Sequence, residues 1–569
     1  GNLEATRAEA RAEGLLDPIE ACAPRLRAEM AHTTQIVTAG AEAARRLIPG
    51  VTGGILDFRG NVVDVPAGIP SPEMPARKIV PTVNPAFTLR SPRFRTAFYG
   101  DIARALRHFR GTLDWTAPRA WHRPSIGQLR AFFAQPRRWL SWDLETDAKY
   151  PVLASIRCIG ITTDQGDGVL VPLLGIDGQR RFYSSAEEAG VIETLRGFLA
   201  SPAHLKIGWN QGYYDHLCVE ARWGVQPVNQ QDFMLYHHNA EPEVPHSLDY
   251  AASTRTDAPR WKKNAQGKKI STGAQSDEEL HTYCVSDCHG VSRMAAGLAA
   301  DVKKRNGAGV VALEHRIQAV CRELHKIGMP VDTSPVAAWD VKQADGRYTR
   351  VEAPTAPAGG SPSNRVAWDL KLTADAARWL DRARAALAED RQASAEAGRI
   401  AAAELGLSGP SGALFFHEDD GVSGADGSEG DEPAAFDAGP LLGRAAGTGY
   451  NPGSPDQVRR VIFGVWGMTP PSGLPKKVAY TTSGSESTGD AVLIAMLADR
   501  GLEPARRRLI EATRGYRLAI KLNGTYVRPL AVPMGLDGGR IWPDGRVRAS
   551  WNVHVTSPGR LSCNDPSLQ

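Results

Sequence analysis

Hydrophobic and polar positions divide the chain into stretches of different period. Residues 3–30 predict two helices broken at Asp17-Pro18, the second carrying Ile19, Cys22, Leu26 and Met30 as its apolar stripe. Gln35 to Ala39 reads as a strand that meets Gly40 and a short helix over 41–47. Two short strands are expected around the turn Arg59-Gly60-Asn61, then a strand from Ile79 that leads through Asn84-Pro85 into an amphipathic helix ending near Arg110. Residues 113–135, with Pro118, Pro124 and several aromatics, read as a linker. Over 136–300, strands at 138–146, 155–162, 168–173 and 206–208 are interspersed with helices at 186–199 and 278–300, the signature of an α/β domain with a mixed sheet. A helix over 314–327 stops at Gly328, and the Ala-rich stretch 366–405 is helical. Two tracts near 351–365 and 417–440 are too polar to bury, so disordered insertions are expected there.

A length of 569 residues with 42% apolar content implies three to four domains with filled cores, an α/β multidomain chain. The net charge of +4 neither demands nor excludes nucleic acid, because an acidic metal site coexists with local basic tracks. Seven cysteines without a Cys-x-x-Cys pair point to reduced thiols and a cytoplasmic setting; Cys284, Cys288 and His289 read as core groups, not a zinc site. No run approaches about 18 consecutive apolar residues and no secretion signal is evident, so no membrane span is expected. The ends at Gly1 and Gln569 read as cuts.

Candidate chemistry centres on Trp142-Asp143-Leu144-Glu145, where an apolar strand ends in Asp-x-Glu and the period of two puts both carboxylates on one face. By itself such a pair is also what a solvated strand end shows. Two later fragments change the picture. Trp209-Asn210-Gln211-Gly212-Tyr213-Tyr214-Asp215 follows a short strand and delivers an amide and a third carboxylate, and Tyr283 stacks one helical turn from Asp287. Four converging carboxylates cannot all ionise unless divalent cations neutralise them, and oxygen donors select Mg²⁺ or Mn²⁺.

Asp143/Glu145, Asn210/Asp215 and Tyr283/Asp287 resemble the three motifs of the 3′–5′ proofreading exonucleases of the four-carboxylate superfamily, tyrosine subclass. The phrases Gln231-Asp232-Phe233-Met234-Leu235 and Pro245-His246-Ser247-Leu248-Asp249-Tyr250 also have counterparts there. The resemblance implies a ribonuclease H-like mixed-sheet exonuclease domain over 136–300. It implies Asp143, Glu145, Asp215, Tyr283 and Asp287 as catalytic residues, and the four carboxylates as ligands of two Mg²⁺ or Mn²⁺ ions. Asp143 would bridge the ions, Glu145 and Asp287 would serve the nucleophile side, Asp215 the leaving-group side, and Tyr283 would orient the attacking water. Asn210 would contact the nucleic acid. The same superfamily also contains ribonucleases acting on RNA 3′ ends, and a catalytically inactive DNA-binding module is the reading from another class.

Gln35 to Arg110 resembles the carboxy-terminal half of the uracil-DNA glycosylases, making 1–112 a partial glycosylase-like α/β domain. Asn84-Pro85-Ala86 departs from the His-Pro-Ser-type loop of that family, and Cys22 matches a cluster cysteine of its iron–sulfur members without partners. Residues 306–569 resemble the mostly helical thumb and the beginning of the palm of the family A DNA polymerases. The resemblance rests on the helix ending at Gly328-Met329-Pro330-Val331-Asp332, on Asn451-Pro452-Gly453-Ser454-Pro455-Asp456-Gln457, on Gly515-Tyr516-Arg517 through Thr525-Tyr526, and on Gly559-Arg560-Leu561-Ser562. Lys476, Lys477, Arg517, Lys521, Asn523, Thr525 and Arg560 are then candidate contacts to a primer-template duplex. In that family the two polymerase carboxylates lie beyond the position matching Gln569, so exonuclease chemistry alone is expected of this chain. The implied setting is the cytoplasm of a bacterium or phage-infected cell, with a single-stranded 3′ end and a duplex as partners, and a monomeric protein.

Overall fold

In a computed structural model the described residues are 16–262, 276–331, 338–342, 348–352, 364–388, 450–556 and 559–566, apart from positions 52, 70, 71, 73, 482, 483, 532, 533 and 535–538. They fall into two units, one within 1–323 together with 551–562 and the other within 324–550 together with 563–569.

The first unit begins with an α/β module: α1 (Pro18–Met30), β1 (Gln35–Ala39), α2 (Ala41–Leu47), α3 (Ile55–Phe58), β2 (Val63–Val65), β3 (Arg77–Thr82), α4 (Pro85–Arg90) and α5 (Arg95–Arg110). β3 is central, parallel to β1 and antiparallel to β2. Asn84 caps α4, its side-chain oxygen accepting from the Ala86 N–H at 2.9 Å, and Pro85 opens the helix where no amide hydrogen is needed. The segment before Arg59-Gly60-Asn61 is helix, not strand. Asp57 reaches back to the Gly54 N–H at 2.9 Å, and Ile55 and Phe58, three apart, face the module's core. Of the expected stripe of α1, Met30 is buried, while Leu26 and Cys22 are exposed.

The chain continues through β4 (Arg119–His122), α6 (Ile126–Ala134), β5 (Leu140–Thr146), β6 (Ile156–Thr163), β7 (Asp167–Pro172), α7 (Ser185–Ala200), β8 (Lys206–Gly208), α8 (Tyr214–Trp223), β9 (Gln230–Asp232), α9 (Phe233–Ala240), α10 (Leu248–Arg255), α11 (Asp277–Lys304) and α12 (Ala308–Ile327). The strands form one mixed sheet in the order β4-β7-β6-β5-β8-β9. β6 runs antiparallel to both β5 and β7, while β8 runs parallel to β5 and β9 to β8. The expected linker is therefore part of the domain: β4 pairs in parallel with β7, and α6 buries Leu129 and Phe132 in the main core. The helix signal there is the capping box of Ser125 and Gln128, easily missed between Pro124 and a run of aromatics.

On one face of the sheet Trp142, Leu144, Ile159, Ile161, Val169 and Val171 fill that core with α6 and α7. On the other, α11 lies against β5 and β6. Gly160 permits this approach, since a Cβ there would stand 3.0 Å from the Cys284 sulfur and 3.2 Å from that of Cys288. Cys284 and Cys288 are thus core thiols, as read from the sequence.

The α/β module is welded to the sheet domain. Phe94 and Ala97 pack with Val244 and Tyr250. Arg59, 2% exposed, donates to Asp101 and to the Ser253 hydroxyl at 2.9 Å each, and Asp101 also accepts from Thr82 at 2.8 Å. Arg107 grips Asp257 with two bonds of 2.7 and 2.6 Å.

In the second unit β10 (Met329–Pro330), β11 (Ala338–Lys342) and β12 (Tyr348–Glu352) precede a helical part: α13 (Asn364–Ala388), α14 (Pro455–Arg459), α15 (Lys476–Ala479), α16 (Asp490–Leu497) and α17 (Pro504–Leu522). α13 lies along α17, and Ala383 and Ala386 of the first and Leu509 and Ile510 of the second share a core with Val492 and Leu493 of α16. Of the helix expected at 366–405, the part beyond 388 lies outside the described residues, as do 353–363 and the whole of 417–440.

Removing one partner of a buried ion pair strands the other without a counter-charge, at a cost of about 3 kcal/mol or more. Asp101→Ala is therefore expected to lower the melting temperature clearly, while Asp101→Leu combined with Arg59→Met recovers most of the loss; differential scanning calorimetry of the three proteins checks this.

Candidate active site

The Asp-x-Glu pair lies where strand alternation puts it. Trp142 and Leu144 point into the main core, and Asp143 and Glu145 face α11. One ligand atom each from Asp143, Glu145 and Cys284 lies within 4.8 Å of the others, the one such group among the described residues. Cys284 also donates to the Asp143 carbonyl at 3.6 Å. Asp215, in the first turn of α8, is buried and accepts from the Leu144 N–H at 3.2 Å, which locks it beside the pair. Asp287 and Tyr283 project from successive turns of α11 and are also buried. Asp143 and Asp287 line one cavity of about 740 Å³, with Trp209, Asn210, His246 and Lys262 among its walls.

Burial pushes the Asp143, Glu145 and Asp215 carboxyls well above the usual carboxylate range. Neighbouring acids add to the effect, Asp215 and Asp287 acting on Asp143, and the Leu144 N–H relieves Asp215 only in part.

Two residues absent from the sequence reading complete the geometry. The Trp261 ring lies against α11 at Gly290, where a Cβ would come within 2.7 Å of it, and its Nε1–H donates to Asp287 at 2.6 Å. Lys262 pairs with Asp287, donates to the Tyr283 hydroxyl at 2.8 Å and sits 4.6 Å from that ring's centre. Burial opposes the ammonium, but Asp287 and Tyr283 outweigh it and hold Lys262 firmly charged. Arg260-Trp261-Lys262 was visible as a basic, aromatic stretch, but nothing in its spacing tied it to Asp287.

Asn210 sits at positive φ (56°) on the cavity rim, its N–H bound to Asp232 at 2.9 Å. In the second unit Lys476, Lys477 and Lys521 are exposed and Thr525 half-buried. Arg517 differs from the expectation of a phosphate contact: its guanidinium donates to the Pro452 carbonyl at 2.7 Å and the Thr488 carbonyl at 2.6 Å, tying α17 to the turn before α14. Asn523 is 2% exposed and belongs to the interior, not to a groove surface. Both were read as surface groups because the phrase around them, not their helical phase, singled them out. Arg560, in the first unit, is exposed.

Residues 442–569 match the family model described as DNA polymerase family A. Over 127 residues the chain is 35% identical to the thermostable DNA polymerase I of Thermus filiformis, covering 22% of this chain and 13% of that protein. Over 124 residues it is 34% identical to DNA polymerase I of Pseudomonas aeruginosa, covering 22% and 12%. The likeness is thus confined to the carboxy-terminal segment, and the chain spans only about an eighth of the length of these relatives. Among solved structures, it is similar to the POL domain of Pol1 from M. smegmatis in complex with DNA primer-template and dNTP (TM-score 0.41, 15% identity, 79% of this chain and 55% of that one). It is also similar to Brucella melitensis NrnC (0.30, 16%, 37% and 94%) and Escherichia coli RNase D (0.28, 12%, 36% and 50%). None of the described helices is long and apolar enough to cross a membrane.

Carboxyls with raised folded values keep protons that the unfolded chain has released, so their contribution to stability falls as pH rises from about 4 toward the folded values. His237, held down to about 3 by burial, and His246, held to about 4, act in the opposite sense below about pH 6.5. Comparison with Asp143→Asn separates the two. In chelator, the variant is expected to melt higher than the parent by a margin that widens from about pH 5 to about pH 8, as thermal melts across that range will show.

Proposed function

We propose that this chain is part of a family A DNA polymerase and that its sheet domain is a 3′–5′ exonuclease removing nucleotides from DNA 3′ ends. The observation that carries the reading is the nearness of carboxylates from three separate stretches: Asp143 and Glu145 on β5, Asp215 fastened to β5 through Leu144, and Asp287 on α11, which shares one cavity with Asp143. The mixed sheet, with β5 antiparallel to β6 and parallel to β8, supports a ribonuclease H-like domain.

The donor set fits divalent cations. Its oxygens are hard, and three of its carboxyls are driven up by burial and mutual repulsion that a cation would relieve. Asp143, Glu145, Asp215 and Asp287 would hold two Mg²⁺ or Mn²⁺ ions, which when bound supply an activated water and charge stabilisation at the leaving oxygen. The protein's own groups do the rest. Tyr283, fixed by Lys262, offers its hydroxyl to orient the attacking water, and Lys262 adds a positive charge beside the acids where a phosphodiester would lie. Trp209 and His246 give the cavity partly apolar walls on which a terminal base can rest. Asn210, which lines the cavity, would contact the same strand. In the second unit the exposed Lys476, Lys477 and Lys521, with Thr525, are the candidate duplex contacts, as is Arg560 in the first.

The chain with Mn²⁺ is expected to shorten single-stranded DNA from its 3′ end, and Asp143→Ala with Glu145→Ala to slow this by at least about a hundredfold. The double variant's melting temperature in chelator should equal or exceed the parent's. Persistent trimming by that variant would contradict the assignment, and faster digestion of a matched RNA strand would reassign the substrate to RNA.

A further inference from the structure

The α/β module makes a contribution to the cleft that its fold alone does not explain. Arg93, on the turn Pro92–Phe94 immediately before α5, lines the same cavity as Asp143, Asp287 and Lys262. Among the described residues it is the one of that module to do so. The turn is held rigidly. Phe94 beside it is buried against Ala97, Val244 and Tyr250 and stacks on Phe87 with ring centres 5.1 Å apart. The Tyr250 hydroxyl donates to the Arg93 carbonyl at 3.5 Å, and the guanidinium rests 4.9 Å from the Phe94 ring centre.

Several arginines of the module have carboxylate partners, among them Arg59 with Asp101, Arg107 with Asp257 and Arg45 with Glu42, but none of these three lines the cleft. Among the described residues Arg93 has no such partner, and it is exposed. It also lines an adjoining cavity of about 710 Å³, whose walls include Thr96 and Arg305. Lys262, Arg93 and Arg305 therefore follow one another from the carboxylates outward along two neighbouring hollows. A succession of cations leading away from an acidic centre suits a polyanion whose end lies at that centre, and an exposed planar guanidinium with free donors suits a phosphate. Glu243 lines both hollows and opposes this attraction.

We propose that Arg93 binds a backbone phosphate of the nucleic-acid strand whose 3′ end occupies the Asp143 site, so that the α/β module completes the substrate channel of the nuclease. This rests on the exonuclease reading above and assigns the module a role in holding substrate that requires no chemistry of its own.

The test uses the full chain carrying Asp143→Asn, with Mg²⁺ present, and follows the fluorescence anisotropy of a labelled twelve-nucleotide oligothymidylate between about 50 and about 200 mM KCl. Adding Arg93→Ala should weaken binding about tenfold at the lower salt and make the slope of log affinity against log salt shallower by about 0.7, the loss of one phosphate contact to a single strand. Arg93→Lys should restore the slope, and Glu243→Gln should tighten binding. An Arg93→Ala protein with the unaltered affinity and salt slope would overturn the proposal. So would a weakening with unchanged slope, because the residue would then act through the fold. Failure of the unsubstituted chain to trim 3′ ends, measured alongside, would instead overturn the exonuclease reading.

Discussion

The structure turns on a conflict between burial and charge at the end of β5. Asp143 and Glu145 are presented to the inner side of α11, and Asp215 is bonded to the backbone between them, so acids accumulate where water is scarce. Like charges in such surroundings raise one another's proton affinity. The protein answers locally with Lys262, whose ammonium is held by Asp287 and Tyr283. That single cation serves Asp287 and leaves the Asp143 side with its protons raised. A site in this condition favours whatever brings more positive charge.

The scaffold keeps this conflict from dissolving by relaxation. α11 is brought close to the sheet by the missing side chain of Gly160, and Trp261 is brought close to α11 by that of Gly290. Each side chain at the site is thereby tied to an element that cannot easily retreat: Asp143 to a strand at the middle of the sheet, Asp215 to that strand's amide, and Asp287 to an indole and an ammonium. The amino-terminal module is fixed to the same body by the Arg59–Ser253 bond, the Arg107–Asp257 pair and Phe94, which is how a turn outside the sheet domain reaches its cleft.

Much of this was legible in the chain. β5 and the helix bearing Tyr283 and Asp287 follow from simple periodicities, and the first module's strand and helix at Gln35–Ala39 and Ala41–Leu47 have the bounds their pattern suggests. What was not legible depends on contacts distant in sequence. The edge strand β4 is short and flanked by prolines, so only its pairing with β7 reveals it. Lys262 and Trp261 gain their meaning from a glycine almost thirty positions later. Arg517 and Asn523 looked like surface groups until the packing of α17 and of the turn after it placed one on backbone carbonyls and the other in the interior.

If the crowded carboxyls are the receptor for cations, then filling the site must expel protons. Titrating the chelated chain with Mn²⁺ in an isothermal calorimeter, at neutral pH and in two buffers of different ionisation enthalpy, measures this directly. Two bound ions per chain with net proton release, both lost in Asp143→Asn, is the expected result. Absence of binding, or binding that releases no protons and survives that substitution, would contradict the account.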